Sequence, residues 1–241
     1  MKAGSGKIAL LIESLDHPDK AVVRAAVDSL IAASSQDLRI AQLLHQLLLE
    51  RKRKNLWPIA YILAHLPETS VPCLEVLLDA LGDPDPDIRW AILLLLVRLG
   101  QKDRALVGRL LDLSRTGSPT QKRMALYCIR DLKLQDPRSL QALRASLNDP
   151  EPAVRVAGVT SLRTRPDISR EETEELLRLL KEDRDVRVRC SAAMILAQIG
   201  GTAEEVHTAL RAAASNGDPR LRKAARAALD YIQKRPATPA E

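Results

Sequence analysis

The sequence predicts an all-α protein, an α-solenoid of about seven two-helix repeats with a period of about 33 residues. Three observations predict it. Leucine recurs in register along nearly the whole chain. The apolar residues follow helical spacing. The core vocabulary is aliphatic: of 241 residues 46% are hydrophobic and 28% charged, while aromatics make up 2% and Phe is absent. Such a chain folds, and it builds its interior from Leu, Ile, Val and Ala, which suit helices. Strand-rich folds draw more on aromatic and β-branched side chains.

The register is read first, because a repeat decides everything after it. Leu11, Leu44, Leu77, Leu110, Leu143, Leu177 and Leu210 form one column, spaced 33, 33, 33, 33, 34 and 33 residues apart. Twelve residues after each lies a second column: Val23, Leu56, Arg89, Lys122, Arg155, Arg189, Arg222. Three residues further on come Ala26, Ile59, Ile92, Ala125, Gly158, Ala192 and Ala225. Four beyond those come Leu30, Leu63, Leu96, Ile129, Leu162, Leu196 and Leu229. The repeats fill residues 7–233 as a single domain, and residues 1–6 and 234–241 are expected to be flexible tails.

Within a repeat, the first helix carries residues such as Leu140, Leu143 and Leu147 on one face, and the second carries residues such as Ile92, Leu96 and Leu99. Breakers separate the two: Asp83-Pro-Asp85-Pro-Asp87, Asn148-Asp149-Pro150-Glu151-Pro152 and Asn216-Gly217-Asp218-Pro219. Asp or Asn there accepts from the free amides that open the second helix. Gly100 and Gly200-Gly201 are expected to close second helices in the left-handed conformation. Ser169-x-x-Glu172 and Thr202-x-x-Glu205 read as capping boxes opening first helices. A two-helix unit cannot bury its apolar face alone, so stacking supplies the core.

The stretch Asp-x-x-x-x-Val-Arg-x-x-Ala-x-x-x-Leu recurs as Asp83…Ile88-Arg89, Asp149…Val154-Arg155 and Asp183…Val188-Arg189. It resembles the second-helix signature of HEAT repeats, in the short variety found in many bacterial proteins and in phycobilin lyase subunits. That resemblance implies a ladder in which Asp83, Asp149 and Asp183 pair with Arg89, Arg155 and Arg189 of neighbouring repeats, with Arg222 in the same column. Repeats one, two and four depart from it. Arg24 is one residue out of register, Leu56 replaces the arginine, and Lys122 has no acid six residues before it, so the ladder is expected to break there.

The second helices also carry an outward stripe, one, five and eight residues after the second column, roughly opposite the core face. It reads Trp57, Tyr61, Ala64 in the second repeat, Trp90, Leu94, Val97 in the third and Arg123, Tyr127, Arg130 in the fourth. Four of the five aromatics of the chain lie on it; Tyr231 is the fifth. Trp, Tyr and Arg dominate interface energetics, and an outward apolar patch marks a partner site. Trp57, Tyr61, Trp90, Leu94 and Tyr127 are therefore the candidate anchors of a concave groove, rimmed by Arg24, Arg98, Arg123 and Arg130. The competing reading packs these rings between curved repeats and predicts them buried.

Charge and chemistry narrow the function. The net charge of +6 is uneven. Residues 1–120 hold 15 basic and 14 acidic groups, and residues 121–241 hold 22 and 17. The mixed signs weigh against a strong nucleic-acid field. Arg51-Lys52-Arg53-Lys54 is the one dense basic run, and a solvated turn accounts for it. Cys73, Cys128 and Cys190 lie far apart with no Cys-x-x-Cys, so neither a disulfide framework nor a zinc site is expected, and a reducing cytoplasm fits. Met1 to Ser14 lacks a small-residue cleavage site, and no secretory leader is expected. The longest apolar run, Trp90 to Val97, has eight residues against the roughly 18 of a membrane span.

His17, His45, His65 and His207 are scattered, and no His-Glu pair or His-x-x-x-His occurs. Deoxyhypusine hydroxylase, a HEAT-repeat enzyme, needs His-Glu pairs for iron. Gly4-Ser5-Gly6-Lys7 has no preceding strand and the wrong spacing for a phosphate loop. No catalytic residue, metal or cofactor is expected. The expectation is a non-enzymatic scaffold whose groove binds a protein or peptide. The alternatives are nucleic-acid binding, as in the HEAT-like alkylpurine DNA glycosylases, with Asp28 or Asp131 beside the tryptophans, and a bilin lyase-like subunit. These rest on analogy of fold.

Overall fold

The computed structural model describes residues 2–67, 69–165, 168–199 and 204–234, with only the backbone of residues 2–5. Among the described residues every regular element is helical. In order these are α1 (Lys2–Glu13), α2 (Lys20–Gln36), α3 (Leu38–Glu50), α4 (Trp57–Leu63), α5 (Val71–Ala80), α6 (Pro86–Gly100) and α7 (Arg104–Thr116). They continue with α8 (Pro119–Asp131), α9 (Pro137–Ser146), α10 (Pro152–Ser161), α11 (Arg170–Glu182), α12 (Val186–Ile199), α13 (Glu204–Ala214) and α14 (Pro219–Lys234). Short 3-10 turns, Ser14–Asp16 and Leu162–Thr164, follow α1 and α10. Gly4 to Lys7 lies within α1. No described helix is long and apolar enough to cross a membrane.

Contacts divide the chain into two units, Met1–Leu106 and Val107–Glu241, each described by itself. In the first, α1 pairs with α2, α3 with α4 and α5 with α6, while α2 packs on α4 and α3 on α5. In the second, α9 pairs with α10, α11 with α12 and α13 with α14. The second helices α8, α10, α12 and α14 pack one on the next, and α11 packs on α13. Within the second unit the second helices thus form a continuous layer. The third column, from Ala26 to Ala225, is buried throughout. The first and fourth columns are buried except at Leu11 and Leu229, which are half-buried. The second column is half-buried in all seven repeats.

The breaker segments share one construction. Asp83 Oδ1 accepts from the Asp85 amide at 2.8 Å, and Asp85 Oδ1 accepts from the Asp87 amide at 2.9 Å. Asp183 and Asp185 do the same (2.8 and 2.8 Å), as do Asn216 and Asp218 (3.0 and 2.8 Å). The second-column arginine then turns back over the loop. Arg89 donates to the carbonyls of Asp83 and Pro84, Arg155 to those of Asp149 and Pro150, and Arg222 to those of Asn216 and Gly217. Loop polar groups are therefore satisfied without water.

One rung of the expected ladder forms between neighbouring repeats, while Arg89 and Arg189 donate to backbone carbonyls. Arg155 forks onto Asp183 of the following repeat, with Nε–Oδ2 at 2.7 Å and Nη2–Oδ1 at 2.8 Å. Lys122 also has an acid: its Nζ lies 2.9 Å from Oδ2 of Asp149 in the following repeat. The expected break at Lys122 is thus corrected, since its partner is 27 residues ahead and not six behind. Arg189 donates to the Leu180 carbonyl at 3.0 Å, and the next repeat offers the neutral Asn216 at the acid position.

Two cap readings also change. Gly100 does not adopt a left-handed conformation; the chain continues through Gln101 (φ −60°, ψ −24°), and Lys102 bonds back to Leu99. The described left-handed residues are Arg51 (φ 50°), which ends α3, and Lys133 (φ 52°), after α8. Ser169 and Glu172 do form the capping box, and Ser118 with Gln121 forms a second at α8. Gly200, Gly201 and Thr202 lie outside the described residues. Buried Glu172 also receives Arg144 at 3.1 Å, and it pairs with Arg165. Burial opposes its charge, but the Ser169 amide and the two guanidinium groups outweigh it and hold the carboxyl below its ordinary value.

One glycine is required by packing. A Cβ on Gly158 would stand 2.1 Å from Ser146 Oγ and 3.3 Å from Leu147 Cδ2, where α10 crosses α9. Ser146 is itself buried and donates to the Leu143 carbonyl at 2.6 Å. Gly158→Ala is expected to cost about 1–3 kcal/mol in chemical denaturation, as overpacking does. Adding Ser146→Ala, which removes the clashing oxygen, is expected to return most of that loss.

Candidate functional site

The first unit contains an open groove of about 1100 Å³, and one helix explains it. Six second helices start three residues before their second-column residue: Lys20, Pro86, Pro119, Pro152, Val186 and Pro219. The seventh, α4, starts at Trp57, one residue after Leu56. It lacks about one turn. The cause is Pro58: proline is tolerated in the first turn of a helix but not in its interior, where a helix begun one turn earlier would place it. Four of the other six repeats place proline at the helix start, three residues before the second column (Pro86, Pro119, Pro152 and Pro219); here it stands two residues after it.

The space left by that turn is floored by Leu15, Val23, Val27, Trp57, Tyr61, Ile88, Ala91 and Leu94. Trp57 and Tyr61 are half-buried, with the Tyr61 ring 4.7 Å from that of His65. Leu94 is 64% exposed and Trp90, one turn earlier on the same face of α6, is 45% exposed; Trp90 is not among the groove-lining residues. Arg24 lines the groove and is exposed. Arg98 is spent internally, donating to the Ala64 carbonyl at 3.3 Å. On α8, in the second unit, Arg130 covers the Tyr127 ring at 4.8 Å and bonds Asp131 at 2.7 Å, while Arg123 is half-buried.

Polar groups converge on the groove that the stripe does not contain. Lys20, the first residue of α2, places its Nζ 2.5 Å from Asp85 Oδ2 and 2.9 Å from Asp87 Oδ2, linking the first repeat to the third. The hydrogen bonds it donates to Asp85 and then Asp87 hold the Lys20 ammonium above its usual pKa, and the one Asp85 accepts from Lys20 holds that carboxyl below its own. Asp16, Asp28 and Asp83 also line the groove, with Lys54 on the basic side. The basic run is not free: Arg53 is 2.5 Å from Asp16 and donates to the Ile12 carbonyl, Arg51 is 3.6 Å from Glu75, and Lys52 is 3.6 Å from Glu50. The 67-residue separation of Lys20 and Asp87 gives the sequence no local signal for this link, but Pro58 was a readable one.

The thiols show no nucleophile activation. Burial pushes Cys73 up to about 12 and also raises Cys128 and Cys190, the reverse of what a reactive thiolate needs. Among the described residues no three His, Cys, Asp or Glu side chains group as metal ligands.

The family model for HEAT repeats matches residues 74–163 and 146–230, overlapping stretches that together take in well over half of the chain. The chain belongs to the HEAT-repeat family. No curated protein matches its sequence. Among solved structures, this HEAT-repeat chain is similar to that of the Escherichia coli protein YibA, with 16% identity over 94% of this chain and 92% of that one and a TM-score of 0.57. Human deoxyhypusine hydroxylase is 19% identical over 95% and 85% of the two chains, with a TM-score of 0.43. A computationally designed armadillo repeat protein for modular peptide recognition is 16% identical over 93% and 99%, with a TM-score of 0.40. The YibA likeness shows the fold of these HEAT repeats.

Proposed function

We propose that this HEAT-repeat protein is a non-catalytic scaffold that holds a segment of a partner protein, a helix or an extended peptide, in the groove of the first unit. One observation carries it: an apolar floor with Trp57 and Tyr61 half-open and Leu94 exposed, in a space the size of a few side chains. Large rings with open faces cost free energy in water and return it when a partner covers them. A nucleic acid is disfavoured as occupant, because five aspartates line the groove against Lys20, Arg24 and Lys54. A helix or strand of a partner would present apolar side chains at regular spacing to this floor.

The test is a pull-down with the full chain, wild type against Trp57→Ala/Leu94→Ala, the retained protein being identified and its affinity measured with purified components. Loss of two anchors is expected to weaken binding by at least about thirtyfold, the size of a hot-spot truncation. Equal affinity for both proteins, each with the same helical circular dichroism, would refute the groove.

A further inference from the structure

We infer that the segment taken by this groove is cationic as well as apolar, and that Lys20 holds the place of its cation until it arrives. The inference rests on the groove proposed above and adds the chemistry of its occupant. Lys20 reaches over the gap left by the missing turn of α4 and sets an ammonium against two carboxylates of α6. Those carboxylates are positioned beforehand. Asp85 Oδ1 is fixed by the Asp87 amide as the cap of α6, which leaves Oδ2 for a cation; Asp83 in turn fixes the Asp85 amide. The Lys20 side chain is 63% exposed and that of Asp87 78%, so the link is an open surface pair that exchanges readily.

Lys20 satisfies the charges without covering the rings. Its ammonium is held by Asp85 and Asp87, while Trp57 and Tyr61 stay half-open and Leu94 exposed. A partner lysine or arginine that takes the same Asp85 and Asp87 oxygens brings apolar neighbours with it, and these cover the floor. Lys20 sets one charge against two carboxylates in a groove lined by five aspartates, so a partner cation keeps a net attraction after displacing it, and the apolar contact supplies the rest of the binding. Acidic segments are repelled by the same five aspartates.

The test uses the full chain and three fluorescein-labelled helical peptides of equal length, with leucine on one face and lysine, serine or glutamate on the other, titrated by anisotropy. The lysine peptide is expected to bind about tenfold more tightly than the serine peptide, and the glutamate peptide more weakly than either. Asp85→Asn/Asp87→Asn keeps a helix cap and removes both charges, so it is expected to bring the lysine peptide down to the serine level. Lys20→Ala frees the carboxylates and is expected to tighten the lysine peptide about two- to fivefold while leaving the serine peptide unmoved.

Equal binding of the lysine and serine peptides, unchanged in the Asn double variant, would overturn the cationic occupant while the groove itself stands. Lys20→Ala that weakens the lysine peptide would overturn the placeholder role. Binding of all three that survives Trp57→Ala/Leu94→Ala would overturn the groove and this inference together.

Discussion

Leu196→Ala is expected to cost about 2–5 kcal/mol of stability, a large share of what a typical domain possesses. Leu196 is fully buried in α12, in the fourth column of the sixth repeat, and α12 packs against α10, α11 and α14. Neighbours on both sides along the stack hold its surroundings in place, so the vacated volume cannot collapse and the cavity cost adds to the lost transfer free energy. Leu229 occupies the same column in the seventh repeat and is only half-buried. Leu229→Ala is expected to cost about 1 kcal/mol, since much of that side chain already meets water. Urea unfolding followed by circular dichroism reads both as shifts in midpoint. Equal shifts would mean that stacking on both sides is not what sets the cost of a column residue.

That contrast shows why the fold was legible in the sequence. A column is buried because each repeat repeats its neighbours' environment, so a period in sequence becomes a stripe in space. The third column, from Ala26 to Ala225, is buried without exception although it holds Ala, Ile and Gly. Residue size there tracks local spacing: Gly158 is the position where a Cβ would strike Ser146. Most helix starts were legible for the same reason, because Asp stands four residues before the second column (Asp19, Asp85, Asp185, Asp218) or Pro three before it (Pro86, Pro119, Pro152, Pro219).

What the sequence hid were choices between equivalent geometries and links between distant residues. An acid six residues before each arginine suggested which groups take part in the ladder, but not that Asp149 serves Lys122 from the following repeat while Arg89 closes on its own loop. Gly100 suits a left-handed cap, yet the tight turn through Gln101 satisfies the same carbonyls without one. At the groove, the stripe identified Trp57, Tyr61 and Leu94. It missed Lys20, Asp85 and Asp87 because a helical wheel of one repeat does not contain residues of the next but one. Pro58 carried the missing information, since its displacement by five residues from the usual helix start is what shortens α4.

The Arg155–Asp183 rung gives the other large expected effect. Arg155 uses three nitrogens: Nε and Nη2 on the Asp183 carboxylate, and Nη1 on the carbonyls of Asp149 and Pro150. The two side chains are only 14% and 4% exposed, so little water is at hand to replace a lost partner. Arg155→Met is expected to cost about 3–5 kcal/mol, because it strands a desolvated carboxylate and two carbonyls at once. Arg155→Lys is expected to recover only part, since an ammonium cannot match the forked geometry or reach the carbonyls simultaneously. Asp183→Asn keeps an acceptor for the Asp185 amide and removes the charge, so adding it to Arg155→Met is expected to return stability and not subtract more. The exposed pair of Arg187 and Asp185, at 2.7 Å in the same turn, supplies the contrast: Arg187→Ala is expected to cost under about 1 kcal/mol. If Arg155→Met and Arg187→Ala proved equally mild in urea unfolding, the rung would be a surface contact without structural weight. If the double variant proved worse than Arg155→Met alone, Asp183 would be stabilised by something other than this arginine.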